Sequence, residues 1–324
     1  MNNNTVPVTK RDFSKYNKRT GFPIPKDLMP LIDAAKRDKE LLICLRGNEI
    51  HIYYRGGKIL GLNPGKLSFD LKYLTGRTDR DNLICADIKK HKNTIMSNPD
   101  AFFSEAKSVM NEWFKQHPKQ ERDDQHQIAL RNQVFSSESG LIVIDIEFAT
   151  SFLANYYNKQ YIDPEDKIEK ERVTIANARK WPRYPSPRFD IIAIDKSGRI
   201  HVLELKTGLN ALGNAKTHVE DFNALVGNQH QGDNPNANEL RFISFIKEIQ
   251  EMVAVLNKEH LRESLIPTPI MSKPIFHFVF TAKGGAKAKP EEYQISEFPK
   301  KIKASLDLGV DICKIDRNKV LSLQ

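Results

Sequence analysis

Two apolar runs, Arg188 to Asp195 and Ile200 to Thr207, joined through Lys196-Ser197-Gly198, constrain this chain more than any other stretch. Ile, Val and Leu favour extended backbone, and a short turn carrying Ser and Gly joins antiparallel strands, so the segment predicts a β-hairpin. The runs are apolar on both faces, at Ile191, Ile192, Ala193 and Ile194, then at Val202, Leu203 and Leu205, which marks central, covered strands. Side chains alternate along a strand, so Glu204 and Lys206 share one face with Leu205 opposite. The hairpin returns the end of the second strand beside the start of the first, and Asp190 joins them. Charged groups at the end of a covered strand are unusual unless they are paired or bind a metal.

Carboxylates converging beside a lysine suit a hard divalent cation, Mg2+ or Mn2+, which takes oxygen ligands and keeps waters for a substrate phosphate. Such a cation would polarise a scissile phosphate and acidify a bound water, while Lys206 orients the nucleophile or steadies developing charge. The competing reading is a surface ladder or a satisfied structural ion pair of Glu204 with Lys206. The pattern resembles the PD-(D/E)XK nuclease superfamily, the restriction-endonuclease-like fold. The resemblance maps the signature acid to Asp190, the second acid to Glu204 and the lysine to Lys206. Phe189 stands where the family's named proline would precede Asp190.

The order of elements agrees with that resemblance. Residues 121 to 135 predict a helix and Leu141 to Phe148 a strand; the hairpin follows, then a helical region, then a strand at Ile275 to Thr281. Helix, three strands, helix, strand is the superfamily's common core. The expected architecture is therefore α/β, a restriction-endonuclease-like core with a mixed central sheet flanked by helices, over residues 119–324 with an insertion at 149–187. A separate unit is expected over residues 1–118. In it, Leu28 to Lys36 reads as a helix, and Leu41 to Leu45, Ile50 to Arg55 and Lys58 to Leu62 read as a meander turned at Arg46-Gly47-Asn48 and Gly56-Gly57. Phe69 to Leu74 is a candidate further strand. Phe102, Phe103, Ala106, Met110, Trp113 and Phe114 recur at helical spacing behind Pro99, which suits a helix's first turn. This unit is a candidate accessory or interaction module, through which a homodimer or a protein partner would form.

Further candidates surround the central three residues. Within the superfamily an acid on the first helix often joins the metal, and Glu121 fits, with Asp123 and Asp124 as competitors. A solvated helix start is the alternative. Asp145 and Glu147 share a strand face, and Glu147, nearer the strand's end, is a candidate extra ligand. The backbone between Ile192 and Leu205 is a candidate source of a carbonyl ligand. For nucleic-acid contact the candidates are Arg183 and Arg188 beside Trp181 and Tyr184, Lys216 and His218 after the hairpin, and Lys283 and Lys287 in a basic loop. Packing of the insertion onto the core is the rival role for Trp181 and Tyr184. Residues 227 to 239 read as a loop, Leu240 to Glu263 as a helix covering the sheet, residues 296 to 308 as a short helix and Val310 to Ile315 as a closing strand.

Charge and cysteine content narrow the setting. Lys and Arg number 50 against 41 Asp and Glu, a formal net charge of +9. That excess suits a polyanion, with DNA ahead of RNA. Cys44, Cys85 and Cys313 match no zinc spacing, and an odd number argues against a disulfide framework, so a reducing, cytoplasmic setting is expected. No apolar run is long enough to cross a bilayer, and the polar start at Met1 is unlike a signal peptide. The expected activity is metal-dependent phosphodiester hydrolysis. Its rival is a catalytically silent nucleic-acid-binding or interaction module on the same fold, and a third reading is a small-molecule enzyme with an enclosed apolar pocket.

Overall fold

The computed structural model describes residues 26–46, 49–63, 66–74, 91–118, 120–136, 139–149, 188–207, 215, 218–219, 222–223, 235–281, 311–312, 314–315 and 318–322. Most of the 149–187 insertion, Lys216, the 283–290 loop and the expected helix at 296–308 lie outside them.

The first elements are a short 3-10 turn and helix α1 (Met29–Arg37), which opens on Pro30 and buries Leu31, Ile32, Ala34 and Ala35. Strands β1 (Leu41–Arg46), β2 (Glu49–Tyr54), β3 (Gly57–Asn63) and β4 (Lys66–Ser68) follow as an antiparallel meander that forms a sheet of its own. The β2–β3 turn sits at Arg55-Gly56, one residue earlier than expected. Arg55 has φ 48° and Gly56 φ 71°, and two successive positive values make the turn that suits a twisted hairpin. Phe69 to Leu74 is no strand. Asp70 accepts from the Lys72 N–H through its side chain and from the Tyr73 N–H through its carbonyl, and Leu71–Leu74 coils into a 3-10 turn. That turn sets Tyr73 edge-on against Trp113, with ring centroids 5.2 Å apart.

Helices α2 (Lys92–Ser97) and α3 (Pro99–Gln116) come next. Asn98 caps α3 by accepting from the Ala101 N–H at 3.2 Å, and Phe102, Phe103, Ala106, Met110 and Phe114 are buried, so the aromatic stripe is core. Helix α4 (Gln120–Arg131) precedes the main sheet, which is built from β5 (Leu141–Ala149), β6 (Arg188–Asp195), β7 (Ile200–Thr207), β8 (Ile275–Thr281) and β9 (Asp311–Ile312) in that spatial order. The first three strands are antiparallel; β8 lies parallel to β7, and β9 to β8. A parallel neighbour requires a crossover, and helix α5 (Pro235–Lys258) lies within it. This helix begins and ends five residues before the expected Leu240 and Glu263. Asn257 bonds both backbone groups of Ile266 at 2.8 Å, drawing the chain back after the last turn. A small β10–β11 pair (Lys314–Ile315 with Leu321–Ser322) ends the described chain.

Both faces of the main sheet are covered, as the doubly apolar strands imply. Ile192, Ile194, Val202, Phe276 and Phe278 pack with Phe245, Ile246, Ile249 and Met252 of α5. On the other side Ile191, Ala193, Leu203, Leu205 and Val279 pack with Ile128 and Ala129 of α4 and with Leu42 and Cys44 of β1. The meander thus contributes to the same buried cluster as the main sheet. Among the described residues no helix is long and apolar enough to cross a membrane.

Candidate functional site

The β6–β7 hairpin that carries the site is closed by Asp195. Its Oδ1 accepts from the Ser197 N–H at 2.8 Å, the Ser197 hydroxyl at 2.6 Å and the Arg199 N–H at 2.9 Å. Gly198 has φ 85° and lies so close to Thr268 that a Cβ would come within 2.5 Å of that carbonyl oxygen. The turn sets the register, Ile194 with Ile200 through Ile191 with Leu203. One step further the ladder gives way to a side chain: the Leu205 N–H donates to Asp190 Oδ2 at 2.7 Å. Asp190 is thereby tied to the β7 backbone between Glu204 and Lys206.

Glu204 and Lys206 are both buried, at 3% and 6% exposure. Their shared face allows Lys206 Nζ to donate to Glu204 Oε1 at 2.7 Å, and His218 Nδ1 approaches the same oxygen at 3.0 Å. Glu204 Oε2 is buried without a hydrogen-bond partner among the described residues. A buried carboxylate oxygen left bare is costly, and a hard cation is one group that would satisfy it. Burial, and then the nearby charge of Glu204, hold the Asp190 carboxyl well above the usual carboxylate range; the Leu205 N–H and Lys206 oppose that rise and Glu147 adds to it. Crowded carboxylates of this kind repel each other, and a divalent cation would relieve the repulsion.

Among the described residues no three His, Cys, Asp or Glu side chains converge to hold a metal ion. The donors on offer are two carboxylates together with backbone oxygen and water. That set suits Mg2+, which binds through one or two carboxylates and retains water.

The structure brings Asp190, Glu204, Lys206 and His218 together. His218, a candidate for phosphate contact, stands against Glu204. Glu147 lies opposite Asp190 across the β5–β6 pair, since Ile146 pairs with Ile191 and Phe148 with Phe189. Asp145 turns elsewhere and binds Arg46. Of the three acids opening α4, Asp123 pairs with Arg55 at 3.2 Å and Asp124 with Lys319 at 3.0 Å, while Glu121 is exposed. Glu121 precedes Gln125 by one helical turn on the same face, and Gln125 donates to the Asp190 backbone carbonyl. Sequence reasoning assigned neither Gln125 nor the Leu205 amide to the site; the four-residue spacing of Gln125 from Glu121 was the available signal. Arg188 is placed as the first residue of β6, paired with Ala149. Arg183, Lys216, Lys283 and Lys287 lie outside the described residues.

No protein-family model, curated protein or solved structure matches this chain.

Proposed function

We propose that this chain is a metal-dependent nuclease of the PD-(D/E)XK type, hydrolysing phosphodiester bonds of nucleic acid, with DNA the favoured substrate over RNA. The observation that carries the reading is the buried Glu204 Oε2 beside Asp190, without a hydrogen-bond partner among the described residues, its sister oxygen held by Lys206 and His218. Helix α4, three antiparallel strands, a crossover containing α5 and a parallel fourth strand give the element order that the family resemblance calls for. Support also comes from the formal charge of +9.

Asp190 and Glu204 would hold Mg2+ or Mn2+, with a carbonyl from the adjoining strands. When bound, the cation polarises the phosphate and lowers the pKa of a coordinated water. The remaining work falls to the chain itself. The Leu205 N–H and Gln125 fix Asp190 at its side chain and its carbonyl, so its oxygens keep one orientation. Lys206 holds Glu204 Oε1 in the resting site; its ammonium is placed to steady the charge that grows as water attacks phosphorus. His218 is partly exposed and stands 3.0 Å from Glu204 Oε1.

The silent-module reading draws support from the same ion pair, because Lys206 and Glu204 satisfy each other at 2.7 Å without a metal. Calorimetry separates the two readings. Asp190→Asn and Glu204→Gln are each expected to weaken Mn2+ binding, and a folded double variant with wild-type affinity would rule out the metal site.

A further inference from the structure

Among the described residues β5 is the outer strand of the main sheet, and one edge of its backbone has no neighbouring strand there. Two arginines cap that edge. Arg262 Nη2 donates to the Ile144 carbonyl at 2.8 Å, and Arg46, the last residue of β1 in the meander, donates to the Ile146 carbonyl. Arg46 also donates to both carboxylate oxygens of Asp145, and Asp145 Oδ1 accepts from the Ile146 N–H at 2.9 Å. The pair is enclosed, with the Asp145 side chain 0% and that of Arg46 13% exposed. An unbroken strand would put Glu147 on the face of Asp145. The register is regular from Asp145 to Phe148, but Glu147 takes φ 50°, a conformation that a residue with a Cβ keeps only when its surroundings impose it. Glu147 follows directly on the backbone that Arg46 grips, and its charge acts on Asp190 across the strand pair.

The meander also grips the other neighbour of Asp190. Arg55 pairs with Asp123, Gly56 lies against the Arg122 carbonyl so closely that a Cβ would come within 2.4 Å of its oxygen, and just before the meander the Glu40 carbonyl bonds His126 Nε2 at 2.9 Å. Gln125, between Asp123 and His126 on that stretch, reaches the site at the Asp190 carbonyl.

We infer that the N-terminal meander is a positioning part of the metal site: Arg46, through Asp145 and the Ile146 carbonyl, sets the backbone that holds the Glu147 carboxylate across the strand pair from Asp190, where its negative charge favours a cation on Asp190 and Glu204. This rests on the reading of Asp190 and Glu204 as metal ligands. Arg46 is a positioning residue, because it acts through Asp145 and Glu147.

The test is Mn2+ affinity of the full chain by calorimetry, with the spectrum of bound Mn2+ by electron paramagnetic resonance. Glu147→Gln is expected to weaken binding about tenfold or more, as for other groups that orient a metal site. Arg46→Met with Asp145→Leu removes the clamp as a pair, so neither member is left facing an absent partner, and is expected to weaken Mn2+ binding by a similar factor. Adding Glu147→Gln to that pair should cost little more. Arg262→Met removes the neighbouring cap on the same edge and is expected to lower the melting temperature while leaving Mn2+ affinity unchanged. Wild-type affinity in the clamp variant, or an equal loss in Arg262→Met, overturns the inference. Wild-type affinity in Glu147→Gln overturns it too, and Asp190→Asn then tells which claim failed. If Asp190→Asn loses binding, the ligand reading stands without the clamp; if it binds Mn2+ normally, both fall. Should the clamp variant not fold, Arg46→Lys serves, since one nitrogen cannot replace the paired contacts to carboxylate and carbonyl. Unchanged Mn2+ affinity there overturns the inference equally.

Discussion

Acidification from pH 7.5 to pH 5 is expected to remove about 2 kcal/mol of stability through His277 alone, and His277→Phe to abolish that share. His277 is buried on β8 at 3% exposure, its ring stacked on His201 with centroids 5.0 Å apart. His201 Nδ1 and His277 Nε2 are 2.8 Å apart, and His201 Nε2 lies 3.2 Å from Asp195 Oδ2. The network is satisfied when His201 donates to Asp195 and His277 donates to His201, which leaves His277 Nδ1 as a lone pair with no partner among the described residues. Burial first, and the neighbouring His201 second, push His277 down to about 3. Burial likewise pushes His126 down to about 4, against the bond to the Glu40 carbonyl. Because both folded values lie below the unfolded 6.5, the unfolded chain takes up protons first as pH falls. Their stabilising contribution is complete above pH 6.5 and is lost progressively down to the folded values. At pH 5 an unfolded histidine of pKa 6.5 is favoured by about 2 kcal/mol, so the two together account for about 4 kcal/mol. Asp190, held above its usual range, works in the opposite direction, but it is common to wild type and variant and cancels in their difference. Losing the bond to His201 Nδ1 lowers the variant's stability at pH 7.5 by about 1 to 3 kcal/mol, an offset separate from the slope. Urea denaturation of both proteins at pH 7.5, 6 and 5, at fixed ionic strength, measures the slopes. Parallel slopes for wild type and His277→Phe would refute the assignment of His277 as a buried neutral histidine.

Other expectations follow from the site and the hairpin. Lys206→Ala and Lys206→Met should keep the fold and most nucleic-acid affinity in Ca2+ while losing roughly two or more orders of magnitude of cleavage in Mg2+, measured on single-stranded, duplex and branched DNA and RNA; equal cutting by both variants and wild type would make Lys206 structural. Binding of nucleic acid should weaken with salt at a logarithmic slope of about −0.7 to −0.9 per phosphate contacted. A salt-independent affinity would favour the interaction-module reading. Gly198→Ala should destabilise by more than about 1 kcal/mol, because it combines a positive φ with a Cβ placed 2.5 Å from the Thr268 carbonyl; urea midpoints report it.

The neighbourhood of Asp190, Glu204 and Lys206 was legible because everything that creates it is local. Alternation puts Glu204 and Lys206 on one face, and a turn within the same twenty residues returns β7 beside Asp190. The strand at Ile275 to Thr281 and the helix behind Pro99 were legible for the same reason, since their patterns repeat within one element. Phe69 to Leu74 failed because an Asp side chain bonding its own backbone competes with extended structure, which hydrophobic pattern alone does not register.

Which acids join the site was decided by distant partners. Asp123, Asp124 and Glu121 are equivalent in sequence; Arg55 and Lys319, arriving from opposite ends of the chain, engage the first two. Asp145 and Glu147 share a face in any regular strand, and they separate because Glu147 takes a positive φ and Arg46, 99 residues before Asp145, engages Asp145. His218 reaches Glu204 through a segment after the hairpin. The sequence by itself determined strands, turns and the three-residue cluster, because spacing of two to four residues carries those choices. Only the tertiary structure decided which charges are paired, bent aside or left bare, because burial makes an unpaired charge costly and the partners that relieve it come from segments no local pattern connects.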